Sequence, residues 1–185
     1  MNTTDLDIAL KTLREIKTKS SNDLRFGFDL EWNNFIKVMQ FLSPKSFGTR
    51  IQNRIIENNN CLKTNPSKDL GDFEMNRKKY EFKTSLLTTS NKLANFVGIR
   101  PYQKIDGYIL IVVDTNSTPY NTLQYCLTKE QMDEELKLLK ANPSNGTMAS
   151  NEFNQNISFR FSIDLITENL NSIRWHKYKI DSLHL

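Results

Sequence analysis

Cysteine and histidine are scarce in this 185-residue chain: Cys61, Cys126, His176 and His184 are all it has. No CxxC pair and no zinc-type spacing occurs, which excludes a disulfide-stapled scaffold and a structural zinc site and makes a reducing cytosol the expected compartment. Long apolar runs are absent too. The longest, Tyr108 to Val113, falls far short of the roughly 20 residues that cross a bilayer, and Met1 to Leu10, with Asp5 and Asp7, does not read as a signal peptide, so no membrane partner is expected. No run of Lys or Arg marks a basic tail. The formal net charge is +4, from 25 basic and 21 acidic residues, which suits a polyanionic partner but is common without one. Hydrophobic residues at 38% and charged residues at 25% describe a chain that folds and buries a core, and its length fits a single domain over residues 1–185.

The periodicity changes along the chain. Leu6, Leu10, Leu13 and Ile16 recur at helical spacing, which predicts an amphipathic helix over 5–17. Trp32, Phe35, Ile36 and Met39 predict a second over 31–42, stopping before Pro44, and Phe47, Ile51 and Ile55 a third from Ser46 to Asn58–Asn60. Alternation then takes over at Asp72 to Met75 and at Lys79 to Lys83. Tyr108 to Asp114 reads as a strand covered on both faces, with Leu123 to Leu127 as a neighbour. Thr128 opens a helix with Gln131 in the capping-box position, Asn142 to Gly146 is turn-rich, Ile157 to Ile163 alternates as a strand, and Asp164 to Ile173 reads as a last helix. The expected class is α/β or α+β: helices first, then a central mixed sheet with helices around it.

The segment richest in chemistry is Gly71-Asp72-Phe73-Glu74-Met75-Asn76-Arg77-Lys78-Lys79-Tyr80-Glu81-Phe82-Lys83. A two-residue turn at Asn76-Arg77 pairs Met75 with Lys78 and Phe73 with Tyr80, and sets Asp72 opposite Glu81. Phe73, Met75, Tyr80 and Phe82 then share one face, while Asp72, Glu74, Lys79, Glu81 and Lys83 share the other. A hard divalent cation such as Mg²⁺ takes carboxylate oxygens plus waters, and this arrangement supplies two carboxylates with a positive charge alongside. The same pattern also describes a solvated, salt-bridged strand face.

Gly71-Asp72 followed by Glu81-Phe82-Lys83 resembles the PD-(D/E)XK motif of type II restriction endonucleases, with glycine where the motif name has proline. Ile99-Arg100-Pro101-Tyr102-Gln103 before the apolar strand, Tyr125 to Glu130 leading into a helix, and Asn145-Gly146-Thr147 before the strand of Arg160 also look like that group. In size and order of segments the chain is similar to the small catalytic subunit of heterodimeric type IIS restriction endonucleases.

The resemblance implies a restriction-endonuclease-like fold and an Mg²⁺-dependent endonuclease acting on double-stranded DNA beside a larger recognition subunit. Asp72, Glu81 and the Phe82 carbonyl would ligate the metal. Lys83 would orient or help deprotonate the attacking water, leaving 5′-phosphate and 3′-hydroxyl ends. Glu57 is either a further acidic residue near the metal or the partner of Arg54. Gln103 either buttresses the active strand or caps a turn. Arg100, Lys104, Asn145, Thr147 and Arg160 either touch DNA phosphates or are ordinary surface residues. Two rival readings stand beside this one: a homodimeric restriction or nicking enzyme, and a non-catalytic DNA-binding or assembly protein.

Overall fold

Helical spacing at the start of the chain yields three helices in a computed structural model that describes residues 3–64, 69–144 and 153–185. They are α1 (Thr3–Asn22), α2 (Trp32–Met39) and α3 (Pro44–Asn58), and they make up one of two compact units, ending at Asn58 and taking in Leu185. The stripe predicted on α1 buries little. Leu10 is 42% exposed and Ile8 more so, whereas Leu13 and Ile16 are half-buried.

In α2, Glu31 accepts the Asn33 N–H as an N-cap, and Phe35, Ile36 and Met39 are fully buried. The helix ends at Met39, three residues before Leu42. Pro44 opens α3 at the position where a missing N–H costs nothing, and Ser43 Oγ accepts the Ser46 N–H. The predicted stripe Phe47, Ile51 and Ile55 is buried, and two arginines are buried with it. Arg50 donates to the carbonyls of Ser20 and Asp23. Arg54 lies 4.6 Å over the ring of Phe35 and 5.5 Å over Trp32. Burial pulls its pKa below the usual arginine value, against the opposing charges of Glu31 and Asp29.

The second unit, Asn59–His184, holds the sheets. Its strands are β1 (Leu62–Lys63), β2 (Phe73–Met75), β3 (Lys78–Leu87), β4 (Ala94–Ile99), β5 (Gly107–Asp114), β6 (Asn121–Thr128), β7 (Asn142–Pro143), β8 (Phe159–Ile163) and β9 (Lys179–Ile180). Its helices are α4 (Lys129–Leu138) and α5 (Leu170–Trp175), the latter followed by a 3₁₀ turn at His176–Tyr178. Six strands form a mixed sheet in the order β1-β2-β3-β5-β6-β9. Its neighbours run antiparallel except β3 and β5, which run parallel. β4, β8 and β7 form a separate antiparallel sheet. The protein is thus a mixed α/β chain with a central mixed sheet, as its periodicities predict.

All eight residues of β5 are buried, the pattern of a strand covered on both faces. On one face Tyr108, Leu110 and Val112 pack with Phe96, Phe161, Met132, Leu136 and Trp175 in a single core. The capping box at α4 is present in both directions: the Gln131 N–H bonds Thr128 Oγ1 and the Thr128 N–H bonds Gln131 Oε1. Glu135 of α4 is 1% exposed, and its carboxylate takes hydrogen bonds from Arg174 (2.8 Å), the Trp175 indole (2.8 Å) and the Tyr178 hydroxyl (3.0 Å).

Among the departures from the sequence reading, two have a plain physical cause. The last helix covers only Leu170–Trp175, because the Asp164 carboxylate captures the N–H groups of Ile166 and Thr167 and holds that stretch in a turn. β4 has no counterpart among the predicted strands; its Ala94, Phe96 and Ile99 are buried against β8 partners Ile163, Phe161 and Phe159.

Candidate active site

The hairpin forms with the predicted turn. Asn76 and Arg77 sit at φ 53° and 64°, the left-handed pair that a two-residue loop needs to match strand twist. The register is Met75↔Lys78, Glu74↔Lys79 and Phe73↔Tyr80, also as predicted.

One residue further on, the ladder departs from expectation. The Asp72 N–H donates to the Tyr80 carbonyl at 2.8 Å, so Asp72 and Phe73 both face Tyr80, and Asp72 is not set directly opposite Glu81. Gly71 makes this possible. Its φ is +73°, and a side-chain carbon there would stand 2.6 Å from the Tyr80 carbonyl oxygen. The Asp72 carboxylate reaches across and accepts the Phe82 N–H at 2.8 Å, so it grips β3 between Glu81 and Lys83.

Glu81 is 2% exposed. It faces Tyr108 across the parallel ladder, as Lys83 faces Leu110, so both side chains lie on the face of β3 that carries the main core. Burying a carboxylate there is costly unless donors surround it. Three do. Lys83 Nζ lies 2.6 Å from Oε1, Arg100 Nη2 lies 3.4 Å from the same oxygen, and Gln103 Nε2 donates to Oε2 at 2.9 Å. The Lys83 side chain retains 19% exposure and that of Arg100 26%, so the cations form the solvent side of the cluster.

The turn that carries Arg100 and Gln103 is itself anchored. The Arg100 carbonyl accepts the Gln103 N–H at 3.1 Å, with Pro101 next in the chain fixing φ, and also accepts the Tyr108 hydroxyl at 3.1 Å. Burial pushes the Tyr108 phenol well above its usual pKa, and the negative charges of Asp133 and Glu81 add to that shift, so it remains a donor at all ordinary pH.

A carboxylate pair has about four acceptor directions per group, and the three donors on Glu81 leave one in principle. Asp72 and Glu81 together with a strand carbonyl and waters are the donor types a hard cation takes, without needing a third acidic side chain. Among the described residues no three of His, Cys, Asp and Glu converge.

The other candidates separate. Gln103 braces β3 through its hydrogen bond to Glu81. Arg100 bonds Glu81 in this structure, a role its sequence context did not suggest; the Arg-Pro-x-Gln turn ahead of an apolar strand is the signal that was available. Lys104 is exposed, with its N–H on the Asp69 carbonyl. Arg160 is exposed on β8. Glu57 belongs to the first unit and forms an ion pair with Arg25, not with Arg54, which turns instead to the rings of Phe35 and Trp32. Asn145 and Thr147 lie outside the described residues. No known protein family's model matches the chain, and no curated protein matches it.

Proposed function

We propose that the chain is an Mg²⁺-dependent DNA endonuclease of the PD-(D/E)XK type, with a restriction-endonuclease-like fold and Asp72, Glu81 and Lys83 at its centre. The observation that carries this reading is the buried Glu81 carboxylate held against Lys83 two residues on, with Asp72 fastened to the amide between them. A solvated strand face would leave these groups in water. This chain instead removes a carboxylate from solvent and surrounds it with donors, an arrangement that serves a site better than a surface.

Asp72, Glu81 and the Phe82 carbonyl hold the cation in this scheme. When bound, Mg²⁺ polarises the scissile phosphate and lowers the pKa of a water. Lys83 orients the attacking water and donates to the phosphate as charge builds on its oxygens, and Arg100, at the solvent side of Glu81, does the same from the other flank. Gln103 keeps the Glu81 carboxylate in one orientation. Water's oxygen forms the new bond to phosphorus and gives its proton to solvent, the bond to the 3′ oxygen breaks, and the departing oxygen takes a proton from solvent, which gives 5′-phosphate and 3′-hydroxyl ends.

One site cuts one strand. The substrate in this reading is double-stranded DNA in a prokaryotic cytoplasm, and the chain is the cleaving subunit beside a larger recognition subunit. No helix among the described residues is long and apolar enough to cross a membrane.

Nicking of supercoiled plasmid by the purified chain, with Mg²⁺ or with EDTA, tests the chemistry. The expected result is metal-dependent nicking that falls by about 10²–10³ in Lys83→Ala, the loss typical of removing one charge-stabilising donor. Nicking that survives Lys83→Ala or EDTA would sink the assignment. Addition of a recognition subunit is expected to raise the rate and confine the cut to one sequence.

A further inference from the structure

The outer face of the β4-β8-β7 sheet carries a groove of about 560 Å³ that the chemistry at Glu81 does not use. The inward residues of these strands, Phe96, Phe159, Phe161 and Ile163, are buried in the core, so the alternate positions Asn95, Val97, Arg160 and Ser162 point outward. Val97, Arg160 and Asn142 pair across the three strands in one row, and Asn95 pairs with Ser162 in the next row along β4 and β8. Paired side chains on such rows stand roughly 5 Å apart. Lys140, at the end of the α4 excursion with φ 48°, closes one side.

Two charges line this groove and both are positive. No carboxylate lines it among the described residues, and neither Lys140 nor Arg160 has an ion-pair partner among them. The floor is fixed, because Ser162 Oγ donates to Asn95 Oδ1 and the Asn95 amide is in turn held by Asn91 and the Leu93 carbonyl. Two exposed cations with no ion-pair partner among the described residues, over a floor of neutral side chains, favour an anion over an apolar partner.

We propose that this groove binds the phosphate backbone of a nucleic acid duplex at a point apart from the cleaved bond. Lys140 and Arg160 contact successive phosphates, and Asn142 donates to the backbone between them. Such contacts fix where a duplex lies without reading its sequence. The choice of ligand rests on the nuclease reading, whereas the groove's geometry does not.

The test is fluorescence anisotropy of a labelled 20-base-pair duplex in EDTA, so that nothing is cut, over a range of salt. The paired substitution Lys140→Ala with Arg160→Ala is expected to weaken binding about tenfold and to lower the salt slope by about 1.8, or 0.9 for each phosphate no longer neutralised. Lys37→Ala with Lys45→Ala removes the same charge from the first unit and is expected to leave both nearly unchanged. Arg160→Lys is expected to recover part of the affinity, and the exposure of both cations makes the variants safe for folding.

Equal affinity and slope in the groove variant and the wild type would overturn the proposal, and so would an equal weakening in the control pair. So would displacement of the duplex by polyglutamate at matched charge concentration, which would mark the groove as attracting any polyanion. Plasmid nicking separates the two readings. Groove-dependent binding without any cutting removes the nuclease and keeps the groove, while cutting with groove-independent binding does the reverse.

Discussion

Gln103 donates its side-chain N–H to Oε2 of Glu81 at 2.9 Å, and both residues are 2% exposed. The acceptor lies on β3 and the donor within the long excursion that leads to its parallel neighbour β5. Truncation in Gln103→Ala takes a hydrogen bond from a buried carboxylate, at a cost of roughly 1–3 kcal/mol. Activity is expected to fall about 10–100-fold, as it does when a supporting partner of a site residue is removed. Urea unfolding and plasmid nicking check the two parts, and a variant that loses stability without losing activity would count against Glu81 as a site residue.

Gly71 and Gly98 offer an internal comparison. Both have left-handed backbone, φ +73° and +76°, so alanine at either costs about 1–2 kcal/mol in conformation alone. At Gly98 a new side-chain carbon meets nothing within 4 Å, whereas at Gly71 it meets the Tyr80 carbonyl at 2.6 Å and Ile105 at 2.9 Å. Gly71→Ala is therefore expected to destabilise more than Gly98→Ala, and to lower nicking by displacing Asp72. Thermal melts of the two variants would show the order, and equal losses would contradict it.

Asp133 makes a contribution to the pH dependence whose sign can be worked out. Burial raises its carboxyl pKa above the ordinary 3.8, against the pull of Lys129 and Lys137, and one of its oxygens has no hydrogen-bond partner. The folded state then binds the proton more tightly than the unfolded state, so this group's contribution falls as pH rises from about 3.8 through its folded pKa and is flat above that. Asp133→Asn is expected to be more stable than wild type at pH 7, with the advantage shrinking on acidification toward pH 4. Chemical denaturation at several pH values tests the sign, and a wild-type advantage at pH 7 would refute it.

Glu135 gives the largest expected stability loss. Its carboxylate gathers Arg174, Trp175 and Tyr178 from the C-terminal segment onto α4. Glu135→Ala leaves these donors facing a cavity, with the Arg174 charge half-buried, and is expected to cost roughly 3–5 kcal/mol. Glu135→Gln keeps the shape and part of the bonding and should lose less. Near-ultraviolet circular dichroism on Trp175 reports whether the segment has come away.

Much of this was legible in the residues. The Asn76-Arg77 turn fixed the register as far as Phe73↔Tyr80, because two left-handed residues allow only one pairing, and the unbroken apolar run from Tyr108 identified β5. The Thr128 capping box was equally local. What escaped was set by contacts distant in sequence. β4 is short and broken by Gly98, and it is a strand because β8 pairs with it. The Asp164 turn competes with a helix that the apolar spacing alone would allow. At the buried cluster, the alternation marked Glu81 and Lys83 as sharing one strand face, and Gln103 was marked by the resemblance alone. The pairing of Arg100 with Glu81 and of Glu57 with Arg25 depends on how the chain returns, which spacing does not encode.

The parallel pairing of β3 with β5 has a bearing on descent. Parallel neighbours cannot be joined by a tight turn, so every chain that retains this pair must retain an excursion like residues 88–106, and here its end supplies Arg100 and Gln103. The antiparallel link between β5 and β6 at residues 115–120 carries no such obligation. Lineages of this protein should therefore vary in length at 115–120 and conserve the spacing from Arg100 to Gly107, which makes that short interval the better guide to distant kin than the acidic motif itself.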